Sequence, residues 1–181
     1  RVLGGPGVVE ELVRRDVAVH EARSGEPPWQ PDAVVVGFHR WFDYEAMRRA
    51  CTAVRNGAVL VGTNTDTTFP TAEGVIPGGG AILAGVAAAC GVAPVVAGKP
   101  FAPMADVVRA QVGAGTSLLM VGDRVDTDGW FADTLGCPFA LVLTGVTSPA
   151  EAAALDPQPW LVAADLAAVA AALVGAPGPQ A

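Results

Sequence analysis

Short apolar runs alternate with helix-spaced segments along the whole of this 181-residue chain. Val2-Leu3, Ala33 to Gly37, Ala58 to Gly62, Pro94 to Ala97, Leu118 to Val121, Phe139 to Leu143 and Trp160 to Ala163 each read as a short buried strand. Between them, helical patterns cover Val8 to Arg15, Tyr44 to Arg55, a small-residue stretch that follows Gly80 and runs to Cys90, Ala102 to Val112, Trp130 to Leu135 and residues 165–174. Asp43 is placed to N-cap the second helix, whose positions 46, 47, 50, 51 and 54 are apolar or small, and Asn56-Gly57 ends it. Residues 24–31, with Ser, Gly and three prolines, read as a loop, as does the polar stretch 63–70, and a Pro/Gly tail closes the chain. Strands alternating with helices predict an α/β fold with mainly parallel sheets, and no internal repeat is evident.

Composition sharpens this picture. Half the residues are apolar and 16% are charged, enough for a sizeable core and against disorder. The net charge of −7 argues against a nucleic-acid surface, and an anionic substrate would need local Lys, Arg or metal to offset that field. Cys51, Cys90 and Cys137 are an odd count, widely spaced, and predict neither a metal cluster nor a disulfide framework, which points to a reducing cytoplasm. Residues 80–98 carry no charge over a length close to a membrane span, but Gly91 and Pro94 divide the run into helix, turn and core strand. No signal peptide is legible, and the opening Arg1-Val2-Leu3 reads as a chain entered midway.

The densest candidate chemistry is Leu118 to Asp128, an apolar strand running through Gly122 into Asp123, Asp126 and Asp128. Carboxylates at the carboxyl end of a parallel strand lie where open α/β sheets keep their active sites. Three acids within six residues repel one another, and a hard cation such as Mg²⁺ relieves that repulsion. The competing reading is a polar strand-to-helix loop with Asp126 or Asp128 as an N-cap. Gly4-Gly5-Pro6-Gly7, lacking both the G-x-G-x-x-G spacing and a Walker lysine, reads as a plain strand-to-helix turn.

Five segments read together carry more. Thr63-Asn64-Thr65-Asp66, Pro77-Gly78-Gly79-Gly80, Gly98-Lys99-Pro100, Gly122 to Asp128 and Leu143-Thr144-Gly145-Val146-Thr147 occur in that order. The set resembles the NagD-like phosphatases, class IIA of the haloacid dehalogenase (HAD) superfamily, most densely from residue 32 to 147. The resemblance implies an α/β cap over residues 1–95 and the carboxyl-terminal part of a Rossmann-like catalytic core over 96–181. By the same resemblance, Lys99 neutralises charge on an aspartyl nucleophile and the transferred phosphoryl group, while Asp123 and Asp128 hold Mg²⁺ directly or through water. The loop 63–70 resembles the substrate-specificity loop of the cap, which makes Asn64, Thr65, Asp66 and Phe69 candidate substrate contacts. The implied activity is Mg²⁺-dependent hydrolysis of a small organic phosphate, of the glycerol phosphate, phosphoglycolate or 4-nitrophenyl phosphate type, through an aspartyl-phosphate intermediate. Phosphoryl transfer needs charge stabilisation above all, and a lysine with a divalent cation supplies it. No nucleic acid or membrane partner is expected, and a homodimer through the cap is.

The family's nucleophile is the first Asp of an Asp-x-Asp-Gly motif directly after an amino-terminal strand, upstream of the cap. Asp126-Thr127-Asp128-Gly129 spells that motif but sits several residues beyond its strand, so it is read as a coincidence and the nucleophile is assigned to no residue of this chain. Two milder departures are His39, where relatives carry Asp, and Gly129-Trp130 in place of an aliphatic pair. The chain is therefore expected to be part of a longer phosphatase, inactive alone, with unpaired edges in its core sheet. The alternatives are a non-catalytic small-molecule- or partner-binding module derived from the cap, and a nucleotide-binding domain built on Gly4 to Gly7. Against the second, Asp32 precedes its strand rather than ending it.

Overall fold

Val34 and Val36 alternate with the half-buried Ala33 and Val35 along one strand, the period-two signature of a sheet covered on a face, and that strand is central to the first sheet. The computed structural model describes residues 1–24, 29–113 and 115–175, and the chain divides into two compact units, Arg1–Gly98 and Lys99–Ala181. Residues 25–28, half of the predicted loop 24–31, and residues 176–181 of the Pro/Gly tail lie outside the described residues.

The first unit opens with β1 (Val2–Leu3), α1 (Pro6–Arg14), β2 (Ala33–Val36), α2 (Tyr44–Arg55) and β3 (Val59–Gly62). It continues with β4 (Thr68–Thr71), β5 (Gly74–Pro77), α3 (Gly79–Cys90) and β6 (Val95–Val96). Strands β1, β2, β3 and β6 form a parallel sheet in the order β1-β2-β3-β6, with Val34 opposite Leu60 and Val61 opposite Val95. Helices α2 and α3 pack on each other and on the sheet, burying Leu3, Val34, Val36, Ala50, Leu60, Leu83 and Val86. On α2 the buried Ala46, Ala50, Ala53 and Val54 lie at helical spacing. Asp43 caps this helix as predicted, its carboxylate accepting from the Ala46 N–H at 2.7 Å. Asp43→Ala is expected to destabilise by about 1 kcal/mol, a fall of roughly 2–4 °C in a thermal melt.

The loop expected at 63–70 is in part a strand. β4 and β5 form an antiparallel hairpin with Phe69 opposite Ile76, reversed by Ala72-Glu73 and by Gly74 at φ +127. Pro70 concealed it, because proline argues against a strand in a central position, yet it is tolerated in a sheet of only two strands. Two glycines at the start of α3 also find their reason here. The Gly78 and Gly80 N–H groups donate to the carbonyls of Thr67 and Asp66 at 2.8 Å, and a Cβ on either glycine would run into that loop's backbone.

The second unit begins with α4 (Ala102–Val112), β7 (Met120–Gly122) and α5 (Trp130–Leu135). It ends with β8 (Phe139–Val142), α6 (Pro149–Ala153), β9 (Leu161–Ala163) and α7 (Leu166–Gly175). Its sheet is parallel, ordered β7-β8-β9, with Ala140, Val142, Ala163 and Val169 at its core. The run from Leu118 shortens to three residues, and Met120 and Val121 are half-buried rather than fully buried, since among the described residues β7 is hydrogen-bonded on one side only. α6 was not anticipated, although Ser148-Pro149-Ala150-Glu151 spells a capping box and forms one. There the Ser148 hydroxyl and N–H hold the Glu151 carboxyl below its usual range. Among the described residues no helix is long and apolar enough to cross a membrane. The cysteines are less dispersed than their spacing suggested, for the Cys51 and Cys90 sulfurs lie 3.1 Å apart.

Candidate active site

Two strand ends meet three charged side chains in the second unit. Gly122 closes β7 and leads to Asp123 and Arg124, after which Val125–Gly129 form one π-type turn that runs directly into α5. In that turn the N–H groups of Asp128 and Gly129 both donate to the Arg124 carbonyl, at 2.8 and 3.2 Å. The acidic stretch is thus helical rather than a loop, and neither Asp126 nor Asp128 is the N-cap; Arg124 occupies that position, with its side chain on Asp126 rather than capping the turn. The extra residue of a π-turn changes which side chains point back toward the strand end, a feature common at functional sites.

Asp128 is the side chain so directed. It is only 4% exposed. Its Oδ2 accepts from the N–H groups of Asp123 and Arg124, each at 3.2 Å, and its Oδ1 accepts from Lys99 Nζ at 2.5 Å. A buried carboxylate in this position is stabilised by its cation and by two backbone donors at once. Lys99 begins the second unit, and its side chain remains 44% exposed, so the ammonium is held at one end and open to solvent at the other.

Asp123 is fixed from the neighbouring strand. After β8, the Val146 N–H donates to Asp123 Oδ2 at 2.8 Å, while the Thr147 hydroxyl and N–H donate to the Asp123 carbonyl at 2.6 and 3.2 Å. Asp123 Oδ1 is left without a hydrogen-bond donor among the described residues. Gly122 and Gly145 are required by these approaches: a Cβ at Gly122 would overlap the Asp128 carboxyl, and one at Gly145 the Asp123 carboxyl. Asp126 does not join them. It turns outward, 56% exposed, and pairs with Arg124 at 3.0 and 3.2 Å.

The donor set suits a hard divalent cation. Mg²⁺ is commonly held by one or two carboxylates with water and phosphate oxygens completing the shell. Asp123 and Asp128 provide that number; among the described residues Oδ1 of Asp123 carries no hydrogen bond, while both Asp128 oxygens already accept from Lys99 and two N–H groups. Among the described residues no group of three or more His, Cys, Asp or Glu converges on a metal position, so the expected repulsion of three acids is resolved differently. Asp126 has Arg124 and Asp128 has Lys99.

The predicted substrate contacts all belong to the first unit. Asn64, Thr65 and Asp66 follow β3 and lie against the amino-terminal turn of α3, where the Gly80 N–H takes the Asp66 carbonyl. Asn64 Oδ1 is buried with no hydrogen-bond partner among the described residues. Phe69 is engaged within the fold, stacked on Phe38 with ring centroids 4.9 Å apart and 45% exposed. Residues to which sequence reasoning gave no part in the site are Gly122, read only as a turn, and Gly145, Val146 and Thr147; these position the carboxylates. Their signal was present in the quoted Gly-Asp and Thr-Gly-Val-Thr segments, but what each glycine faces is not written in a linear sequence.

The chain also resembles known proteins. The family model described as HAD-hydrolase-like matches residues 96–169, which hold Lys99, Asp123, Asp128 and Thr147. D-glycerol 3-phosphate phosphatase of Mycobacterium tuberculosis is 40% identical over 139 residues, covering 76% of this chain and 39% of that protein. The chain belongs to the haloacid dehalogenase superfamily. Within that superfamily its relatives are the NagD-like class IIA phosphatases. The crystal structure of a 4-nitrophenylphosphatase from Thermotoga maritima superposes with a TM-score of 0.83 at 31% identity, covering 95% of this HAD chain and 64% of that one. A glycerol phosphate phosphatase from Mycobacterium tuberculosis, solved in complex with calcium, gives 0.75 at 34% identity, covering 89% and 47%. The HAD chain spans from 39% to 61% of the first three curated relatives' own length.

Proposed function

We propose that the protein to which this chain belongs is a Mg²⁺-dependent phosphomonoesterase acting on a small organic phosphate by way of an aspartyl-phosphate intermediate. The observation that carries the reading is the Lys99–Asp128 pair set beside Asp123 at the end of β7. Asp123 and Asp128 would hold the metal, which supplies charge neutralisation at the phosphoryl oxygens. Lys99, anchored by Asp128 yet open to solvent, presents an ammonium to the transferred phosphoryl group, and Val146 and Thr147 hold Asp123 in place. The three carboxyl and ammonium groups are fixed before substrate arrives, so no reorganisation is needed as charge develops.

The nucleophile in this reading lies outside these 181 residues. Asp126 is exposed, paired with Arg124 and four residues past the strand end, a poor position for in-line attack on a phosphate held by Lys99 and the metal. The chain's coverage of its relatives and the side of β7 that has no neighbouring strand among the described residues support the same view. Residues 1–95 would act as the cap, through which a homodimer forms. In the cap, Asn64, Thr65 and Asp66 would read the alcohol portion of the substrate. The orphaned Asn64 Oδ1 suits a hydroxyl donor, as a glycerol or sugar phosphate carries.

The test is hydrolysis of 4-nitrophenyl phosphate with and without Mg²⁺. The 181-residue chain is expected to be silent, and a longer protein carrying an upstream Asp-x-Asp-Gly segment to turn over only with Mg²⁺. Mg²⁺-dependent turnover by the 181 residues alone would overturn the placement of the nucleophile. Silence from the longer protein would favour a binding module.

A further inference from the structure

Two thiols far apart in sequence have been brought together in the first unit. Cys51 lies in the middle of α2, 4% exposed, with Sγ 3.9 Å from the Val86 carbonyl of α3. Cys90 is the last residue of α3, half-buried, followed by Gly91 in the left-handed conformation that ends the helix. Their sulfurs are 3.1 Å apart, and both are free thiols. A disulfide bond is ~2.05 Å long, so about 1 Å of approach separates the pair from a covalent link. Cys90 sits where a helix end can supply that movement, since terminal turns fray more readily than central ones. We propose that Cys51 and Cys90 form a reversible intrachain disulfide tying α2 to the carboxyl-terminal end of α3, made and broken by exchange with a low-molecular-weight disulfide such as oxidised glutathione.

The exchange balances without any other reactant. The more accessible Cys90, as thiolate, attacks one sulfur of the small disulfide, and the other sulfur leaves as a thiolate. Cys51, as thiolate, then attacks Cys90 Sγ in the mixed disulfide and expels the second small thiolate. The two protons released by the cysteines pass to the two leaving thiolates. Both protein thiols are oxidised, with the loss of two electrons in all, and the small disulfide is reduced to two thiols.

Burial, reinforced by the neighbouring Cys51 thiol, pushes the Cys90 thiol up to about 12, while the Arg55 guanidinium on α2 pulls it weakly the other way. Arg55 is held over this helix end by donating to the Ala89 carbonyl at 2.9 Å. The thiolate is therefore scarce at neutral pH, which makes the pair slow to respond to brief oxidation and durable once linked. Cys137, in the second unit, has no such neighbour among the described residues and serves as an internal comparison.

Equilibrating the chain in oxidised and reduced glutathione, then trapping free thiols and mapping peptides by mass spectrometry, decides the matter. The expected product has lost two hydrogens, yields a linked Cys51–Cys90 peptide, and returns to the free thiols with dithiothreitol. Its melting temperature should rise by roughly 10 °C, as closing a loop of this length restricts the unfolded chain. Cys51→Ser should leave Cys90 carrying a glutathione adduct and abolish the melting shift. Should that buried substitution prevent folding, Cys90→Ser at the half-exposed helix end replaces it, with no linked peptide expected. Glutathione adducts without the linked peptide in the unsubstituted chain, or a link between two chains instead, would overturn the proposal.

Discussion

Asp128→Asn is expected, on the proposed function, to lower 4-nitrophenyl phosphate hydrolysis by a protein carrying this chain and an upstream Asp-x-Asp-Gly segment by roughly 10²–10³-fold, the scale on which removal of a preorganised electrostatic group acts. The Asp128 carboxyl is nearly inaccessible and accepts from Lys99 Nζ and from two backbone N–H groups. An asparagine keeps the shape but turns one oxygen into an amide donor. That amide must face either the ammonium or the backbone donors, and in both orientations a donor meets a donor. Lys99 then loses the contact that holds its ammonium in place. The substitution should also destabilise by about 1–3 kcal/mol, which a thermal melt would register. Asp126→Asn is the control, because that side chain is exposed and pairs with Arg124. It should leave stability within about 0.5 kcal/mol and activity unaltered. The reverse pattern, with Asp126 essential and Asp128 dispensable, would refute this assignment of the site.

Gly122→Ala should be almost as damaging without touching a charge. The added Cβ falls on the Cβ, Cγ and Oδ2 atoms of Asp128, whose side chain is held at both oxygens and cannot swing away cheaply. Overpacking of this kind costs about 1–3 kcal/mol, and in this unit the strain lands on a ligand of the proposed metal site. The expected outcome is a lower melting temperature together with a weakened Mg²⁺ dependence of activity. Gly85→Ala provides the contrast within one chain. Gly85 lies mid-helix in α3, and apart from the helix's own backbone no atom comes within 4 Å of the place an alanine methyl would take. Alanine there should stabilise by about 0.5–1 kcal/mol. Equal melting temperatures for the two variants would remove the packing argument.

Several elements were legible in the sequence because their cause is local. The N-cap at Asp43, the left-handed glycines after α3 and α5, and the apolar runs of β2, β3 and β8 follow from short-range chemistry alone. The family resemblance likewise rests on residues present in the linear sequence, and it makes Lys99, Asp123 and Asp128 candidates. The β4–β5 hairpin was obscured by Pro70, whose meaning depends on how many strands surround it. The acidic stretch was open to two readings because a loop and a π-turn can share one sequence, and the choice depends on what Asp128 finds behind Gly122.

By itself, then, the sequence determined the alternation of strands and helices, the α/β class and the identity of the charged groups, since each depends on residue type and period. Only the tertiary structure decided which charges pair, why glycine stands at 122 and 145, and that Cys51 meets Cys90. The reason is physical. Burial and pairing energies depend on distances between residues remote in the chain, and those distances are set when sheets and helices pack, not by any local run of sequence.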